Sequence, residues 1–329
     1  MENSYQFNNA QFFYANNKLA LSLHELNIAA GKTTGIIGEN GSGKSTLLNV
    51  LAFLEPISRG ELLFNQQNVK RNELLQYRRR VGFLAQKPFM LYGTVYNNIN
   101  LALKIHKKKQ RAEKIKQILK QLEISHCEQK EAKQLSGGEL QKAALARMLV
   151  LEPEVVLLDE PFSYLDQSSA ELLEYFLQSY VKRTGNTLVF STHDRLQGYA
   201  LADELIALAD GKQVLTPLIN LFHGEVKGNK FYSANLCIHL PGNIKQGQHA
   251  SIAPQDVILS TEKLGKNSMR NQFNGRVVMI SEEMGNVRIN IDTGEIFKAI
   301  ITFQALKDLN LTLGDNVWVN FKSNAVVVF

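Results

Sequence analysis

The sequence predicts two folded parts, an α/β domain built on a parallel sheet and then a small all-β barrel. Three observations carry this. Apolar runs such as VVLLDEP (155–161) and LVFSTHD (188–194) end in polar clusters, the pattern of strands buried on both faces of a parallel sheet with ligands at their carboxyl ends. A glycine-rich stretch, GENGSGKST (38–46), stands between a β-forming run and a helical one. After Gly211 helical periodicity almost vanishes, and short β-rich runs separated by turns take over. The two parts are expected at 1–215 and 216–329.

The totals are consistent with this division. A chain of 329 residues exceeds the roughly 250–300 at which single cores stop growing. It is 44% hydrophobic and 21% charged, with no biased tract, a globular composition. No apolar run approaches the ~20 residues that span a bilayer. The opening residues, MENSYQFNNAQFF, are polar and are not expected to be a signal peptide. Cys127 and Cys237 stand far apart in unlike contexts and read as free thiols of a reducing compartment, so a cytosolic location is expected. The net charge of +6 concentrates in Arg78, Arg79 and Arg80 and in KIHKKKQRAEKIKQILKQLE (104–123). In the latter, Ile105, Ile115, Ile118, Leu119 and Leu122 recur at helical spacing. That stretch is either a solvated helix face or a surface attracted to lipid headgroups or to a partner's acidic loop.

The elements follow in order. KTTGIIG (32–38) favours a strand and STLLNVLAFLE (45–55) a helix, so the stretch between them is a loop. Its spacing fits the phosphate-binding pattern GxxxxGK[ST]. Glycines reach backbone angles closed to other residues, so successive N–H groups turn inward at a helix N-terminus and hold an anion. Lys44 would reach the β- and γ-phosphates, and the Ser45 hydroxyl would ligate Mg²⁺. RVGFLAQKP (80–88) is a strand followed by Gln86, which can reach Mg²⁺ and a water. In QLSGGELQKAALARMLVLEPE (134–154), Ser136 is a good N-cap and Glu139 completes a capping box. Gly137 and Gly138 in that first turn cost roughly 1 kcal/mol each against Ala. A second anion cradle, for a nucleotide on another copy, would explain the cost. Asp159 ends VVLLDEP where it can hold Mg²⁺, and Glu160 can act as general base on the attacking water. His193, at the end of LVFSTHD, can hydrogen-bond the γ-phosphate or that water.

GENGSGKST, Gln86, LSGGE, VVLLDEP and STHD, in this order, resemble the ATP-binding subunit of an ABC transporter, and LSGGE is that family's diagnostic signature. The resemblance covers about residues 5–215, with a helical subdomain at about 88–150. It implies a P-loop ATPase fold that takes ATP and Mg²⁺. Gly38, Glu39, Asn40, Gly41, Ser42, Gly43, Lys44, Ser45 and Thr46 would contact the nucleotide, and Ser45, Gln86 and Asp159 would hold the metal. Two copies would meet head to tail, Ser136, Gly137, Gly138 and Glu139 of one completing the site of the other. Tyr14 matches the aromatic that stacks on adenine, with Phe12 and Phe13 as rivals. Residues 163–166 match the D-loop, although Tyr164 stands where a small residue is usual. The loop after Gln86 resembles the surface that receives a permease helix. Phe89, Met90, Leu91 and Tyr92 would form its apolar patch, or else join the core with Val95, Ile99 and Leu101. The subunit would lie at the cytoplasmic face of the membrane, with permease subunits and, indirectly, an extracytoplasmic binding protein as partners, and no nucleic acid.

The tail reads as strands in KFYSANLCIHL, ASIAPQDVILS, NGRVVMIS, NVRINIDTG, FKAIITFQAL, DNVWVNFK and AVVVF. Its layout is similar to the accessory barrel of importer ATPases (TOBE, OB-like), and about residues 265–329 resemble the molybdate-binding Mop fold. In that fold an oxyanion sits between subunits, and the matching residues here are Ser268, Arg270, Asn271, Lys322 and Ser323. The match favours molybdate or tungstate over sulfate, iron, polyamine or sugar as cargo. A purely structural barrel is the alternative, and a non-transport ABC ATPase or an oxyanion storage or sensor protein are the other classes.

Overall fold

The computed structural model describes residues 2–15, 17–214, 219–242, 244, 246–283 and 285–329. Two compact units result, Met1–Thr216 and Pro217–Phe329. The expected junction at 215/216 lies outside the described residues.

In the first unit β1 (Asn3–Phe13) and β2 (Leu19–Ala29) form a long antiparallel arm. β3 (Thr33–Ile37) leads through the glycine loop into α1 (Lys44–Leu51). There follow β4 (Arg59–Phe64), β5 (Gln67–Asn68), α2 (Leu74–Arg78), β6 (Val81–Leu84), α3 (Val95–Ile105), α4 (Arg111–Gln121) and α5 (Gly137–Leu149). β7 (Val155–Asp159), α6 (Gln167–Thr184), β8 (Thr187–Thr192), α7 (Arg195–Leu201), β9 (Glu204–Ala209) and β10 (Lys212–Val214) complete it. One ten-stranded sheet has the order β5-β4-β1-β2-β10-β9-β3-β8-β7-β6. Its β9-β3-β8-β7-β6 portion is parallel throughout. β3, β7 and β8 are buried at every position, which is why they carry runs such as VVLL and LVF rather than an alternating pattern. Parallel order sends the carboxyl ends of β3, β6, β7 and β8 to one edge, and the polar residues that follow them collect there.

Two expectations change here. The run 45–55 stops being helical at Leu51, because Phe53 turns left-handed (φ 57°). Its ring then joins Tyr5, Phe64 and Tyr77 in one aromatic cluster. The basic stretch 104–123 is two helices, broken where Lys107 (φ 53°) and Gln110 (φ 52°) turn left-handed. α3 and α4 thereby fold onto each other and onto α5. Ile115, Ile118 and Leu119 are buried, while Ile105, on the far side of the break, is exposed.

The second unit holds β11 (Asn220–Lys227), β12 (Lys230–Ser233), β13 (Cys237–His239), β14 (His249–Ile252) and β15 (Ile258–Ser260). β16 (Asn271–Glu283), β17 (Asn286–Asp292), β18 (Ile296–Ile301), α8 (Phe303–Asp308), β19 (Asn316–Phe321) and β20 (Val327–Val328) follow. They make two five-stranded antiparallel sheets, β13-β12-β11-β14-β20 and β15-β19-β16-β17-β18. Both contribute to one core that includes Phe222, Phe231, Ile289, Phe297, Val319 and Phe321. The second half of FKAIITFQAL is helix α8, started by the Thr302 hydroxyl accepting the Ala305 N–H. β11 had no sequence signal, since His223, Gly224 and Glu225 interrupt its apolar pattern.

Candidate active site

Loop 38–46 borders a cleft of about 650 Å³ whose lining includes Tyr14, Asn40, Gly41, Gly43, Lys44, Ser45, Thr46, Gln86, Glu160, Asp210 and Gly211. Gly43 caps α1 at φ 104° and Gly41 sits at φ 84°, left-handed angles that other residues rarely adopt. A Cβ on Gly41 would meet nothing within 4 Å among the described residues, so the backbone is open at that point, whereas one on Gly38 would strike the Leu208 carbonyl and the Ser42 hydroxyl. The Ser42 hydroxyl is buried without a hydrogen-bond partner among the described residues. The Lys44 ammonium is buried and donates to the carbonyls of Gly38 (2.8 Å) and Glu39 (3.0 Å). Burial lowers its pKa, against the pull of Glu160 and Asp159.

Glu160 is the centre of the polar edge. Its Oε2 accepts from Gln86 Nε2 at 3.2 Å and lies 3.2 Å from His193 Nδ1, and its Oε1 is 4.0 Å from Lys44 Nζ. The parallel sheet thus joins residues from the ends of β6, β7 and β8 to the lysine that opens α1. The backbone of Glu160 is left-handed, φ 46°, an uncommon conformation for a residue with a side chain. Three contacts hold it: its N–H donates to the Ser191 hydroxyl (2.9 Å), and its carbonyl accepts from the Ser163 hydroxyl (3.0 Å) and N–H (3.3 Å). Ser191, fully buried, also donates to Asp159 Oδ1 at 2.6 Å. Ser191 therefore fixes the Glu160 backbone and the Asp159 carboxylate, a role that sequence reasoning missed although the residue stands in STHD.

Of the three aromatic candidates, Phe12 is buried and Tyr14 is 43% exposed at the cleft. The Tyr14 hydroxyl lies 2.7 Å from Thr46 Oγ1, and its ring meets Phe12 edge-on. An oxygen donor set of Ser45, Gln86 and Asp159 suits a hard cation such as Mg²⁺.

Ser136, Gly137, Gly138 and Glu139 form the first turn of α5, with the expected capping box in place. Oε2 of Glu139 accepts the Ser136 N–H at 2.9 Å, and its Oε1 accepts from Lys130 at 2.8 Å. The Lys130 ammonium, then the Ser136 N–H, hold this carboxyl well below the usual carboxylate range. Gly138 has a reason within the chain that the sequence did not reveal: a Cβ there would press on Leu165 at 3.1 Å. Among the described residues a Cβ on Gly137 would meet Tyr164 alone, at the ordinary distance of 3.8 Å. Gln141 of α5, also unforeseen, donates to the Pro161 carbonyl and so ties this helix to the segment carrying Glu160.

The loop after Gln86 divides. Phe89, Leu91 and Tyr92 are exposed, Met90 packs partly on the core, and Val95 and Ile99 are buried. Leu101, expected inside if the loop joined the core, is exposed instead. Asn98 clamps the loop by bonding both the N–H and the carbonyl of Leu91.

In the second unit the pairing of Asn271 with Phe321 brings residues 268–271 and 321–323 side by side. Ser268, Arg270 and Lys322 are exposed, and the Ser323 hydroxyl is buried without a partner among the described residues. Asn271 departs from its expected use. Its Oδ1 accepts the His239 N–H at 2.7 Å and its Nδ2 donates to the His239 carbonyl at 3.1 Å, so its amide braces β13.

Residues 21–163 match the ABC transporter family, and residues 267–328 match the TOBE domain. The molybdate/tungstate import ATP-binding protein WtpC of Pyrococcus abyssi is 32% identical, with 89% of this chain and 91% of that protein covered. The sulfate/thiosulfate import ATP-binding protein CysA of Bacillus cereus is 30% identical, with 94% of each covered. Among solved structures, a dimeric ATP-binding cassette in a post-hydrolysis state with ADP and Pi superposes at a TM-score of 0.60 and 29% identity, covering 64% of this chain and 97% of that one. No described helix is long and apolar enough to cross a membrane.

Proposed function

The chain belongs to the ATP-binding proteins of ABC importers, and from that premise we propose that it drives uptake of a tetrahedral oxyanion by hydrolysing ATP between two copies of itself. One observation supports the catalytic part above the others. A buried carboxylate, Glu160, meets Gln86, His193 and Lys44 beside a glycine loop that is open at Gly41.

In this reading the triphosphate displaces the Gly38 and Glu39 carbonyls from Lys44 and lies along the inward N–H groups. Ser45, Gln86 and Asp159 would hold Mg²⁺, which would neutralise phosphate charge. Glu160 takes a proton from the attacking water while His193 orients water and γ-phosphate. Ser136, Gly137 and Gly138 of a second copy close the site, and the open surface at Gly137 leaves room for that approach. Tyr14 stacks on the base. Phe89, Leu91 and Tyr92, held outward by the clamp at Asn98, offer the contact for a permease helix.

The cargo rests on the relatives. WtpC and CysA are named for molybdate, tungstate, sulfate and thiosulfate, which share a tetrahedral, doubly negative form. We assign that class and favour molybdate or tungstate, with Ser268, Arg270, Lys322 and Ser323 as a regulatory oxyanion site in the second unit.

Glu160→Gln tests the catalytic assignment. It is expected to leave ATP binding intact, slow hydrolysis by about 10²–10⁴-fold and accumulate an ATP-bound dimer by gel filtration. Near-normal turnover by this variant would remove Glu160 from the role of base. For the cargo, host cells lacking the gene should lose high-affinity uptake of labelled molybdate, tungstate or sulfate. Loss of sugar or polyamine uptake with all three retained would overturn the oxyanion assignment.

A further inference from the structure

Away from the nucleotide cleft, three metal-ligating side chains converge on one point. His126 Nε2 lies 3.1 Å from Glu139 Oε1, and Cys127 Sγ lies 3.2 Å from the same oxygen. All three ligand atoms fall within 4.8 Å of one another. His126 and Cys127 sit on a single 3₁₀ turn, Ser125–Cys127, and Glu139 on the first turn of α5, so two short regular elements set the spacing. Cys127 is buried, Glu139 half-buried and His126 exposed, which gives the cluster a closed sulfur side and an open imidazole side.

Tetrahedral zinc binds thiolate, imidazole and carboxylate at about 2.0–2.3 Å, which places its ligand atoms about 3.3–3.8 Å apart. To accept such an ion the two short separations widen by a few tenths of an ångström, and the His126–Cys127 pair, within 4.8 Å, comes into the same range. We propose that His126, Cys127 and Glu139 form a binding site for a soft divalent transition metal of the Zn²⁺ class, with water as the fourth ligand. Thiolate and imidazole select such an ion over Mg²⁺, so the site is chemically distinct from the all-oxygen set of the cleft. Lys130 Nζ, 2.8 Å from Glu139 Oε1, is the cation that now balances that carboxylate, and the metal takes over its place. Coordination releases the Cys127 thiol proton to solvent. Glu139 Oε2 keeps the Ser136 N–H, so the bound metal braces the capping box at the start of α5.

The test uses untagged full-length protein, stripped with chelator and titrated with Co²⁺ as a coloured substitute for Zn²⁺. One equivalent should give a thiolate-to-cobalt charge-transfer band and visible d–d bands, both erased by Zn²⁺. Cys237→Ser should keep the bands. Cys127→Ser should abolish the thiolate band, and His126→Ala, a change at an exposed side chain that leaves the fold intact, should weaken binding about tenfold or more. Lys130→Ala, which removes the competing ammonium, should tighten it. Absence of a thiolate band at millimolar Co²⁺, or a band that survives Cys127→Ser, would overturn the proposal and leave His126 and Cys127 as an anchor for Glu139.

Discussion

At the scale of single residues, the motifs named the candidate reacting groups, and two details bear on whether they can act. Glu160 stands in a left-handed backbone conformation, and Ser191 holds it there from the neighbouring strand while also bonding Asp159. A strained residue persists only where its surroundings over-determine it, so Ser191 is a positioning residue for the Glu160 backbone and the Asp159 carboxylate. Ser191→Ala should lower kcat by about tenfold or more, since small misplacements of a reacting group are costly, with KM for ATP nearly unchanged. A matched fall in both constants, or no change in kcat, would contradict this. Glycine also acquires two meanings at this scale. Gly41 leaves open space, whereas Gly138 avoids Leu165, and a string of letters does not separate these cases.

At the scale of elements, periodicity located the helices but not their ends. The stretch 104–123 carries one apolar repeat in sequence, yet only α4 uses it. The chain reverses at Lys107 and Gln110 so that α3 and α4 can both lie on α5. The reversal is pinned by Glu152, whose carboxylate meets Lys114 at 2.6 Å and Lys108 at 3.5 Å. Lys114 chiefly, with Lys108, lowers the Glu152 pKa from 4.5. A depressed carboxyl pKa adds stability that is full above the unfolded value and lost as pH falls through the folded one. Glu152→Gln should therefore lower stability at pH 7 by at most about 1 kcal/mol, because Glu152 is exposed and Lys114 only half-buried. Its difference from wild type should shrink below about pH 4.5 in denaturant melts. A difference that grows on acidification would refute the pairing. The loop after Gln86 shows the same limit of sequence: Phe89, Met90, Leu91 and Tyr92 look alike as apolar letters, and the clamp at Asn98 sorts which of them face outward.

At the scale of the molecule, separate cores predict separate folding. The core of the second unit is built from its own strands, so residues 219–329 expressed alone should give a cooperative thermal transition and dispersed amide resonances. A collapsed, non-cooperative product would show that the unit depends on the rest of the chain. The sequence by itself determined the phosphate loop, the buried parallel strands and the polar residues that close them, because each follows from short-range rules. Backbone angles demand glycine, doubly buried strands demand apolar runs, and helix starts demand caps. It likewise determined that an all-β part follows, from turns and alternation alone. Only the tertiary structure decided that Gln86, Glu160 and His193 share one hydrogen-bonded point, that the Asn271 amide braces β13, and that His126 and Cys127 reach Glu139. Such meetings depend on strand order and on where the chain reverses, and those are settled by packing between segments far apart in sequence.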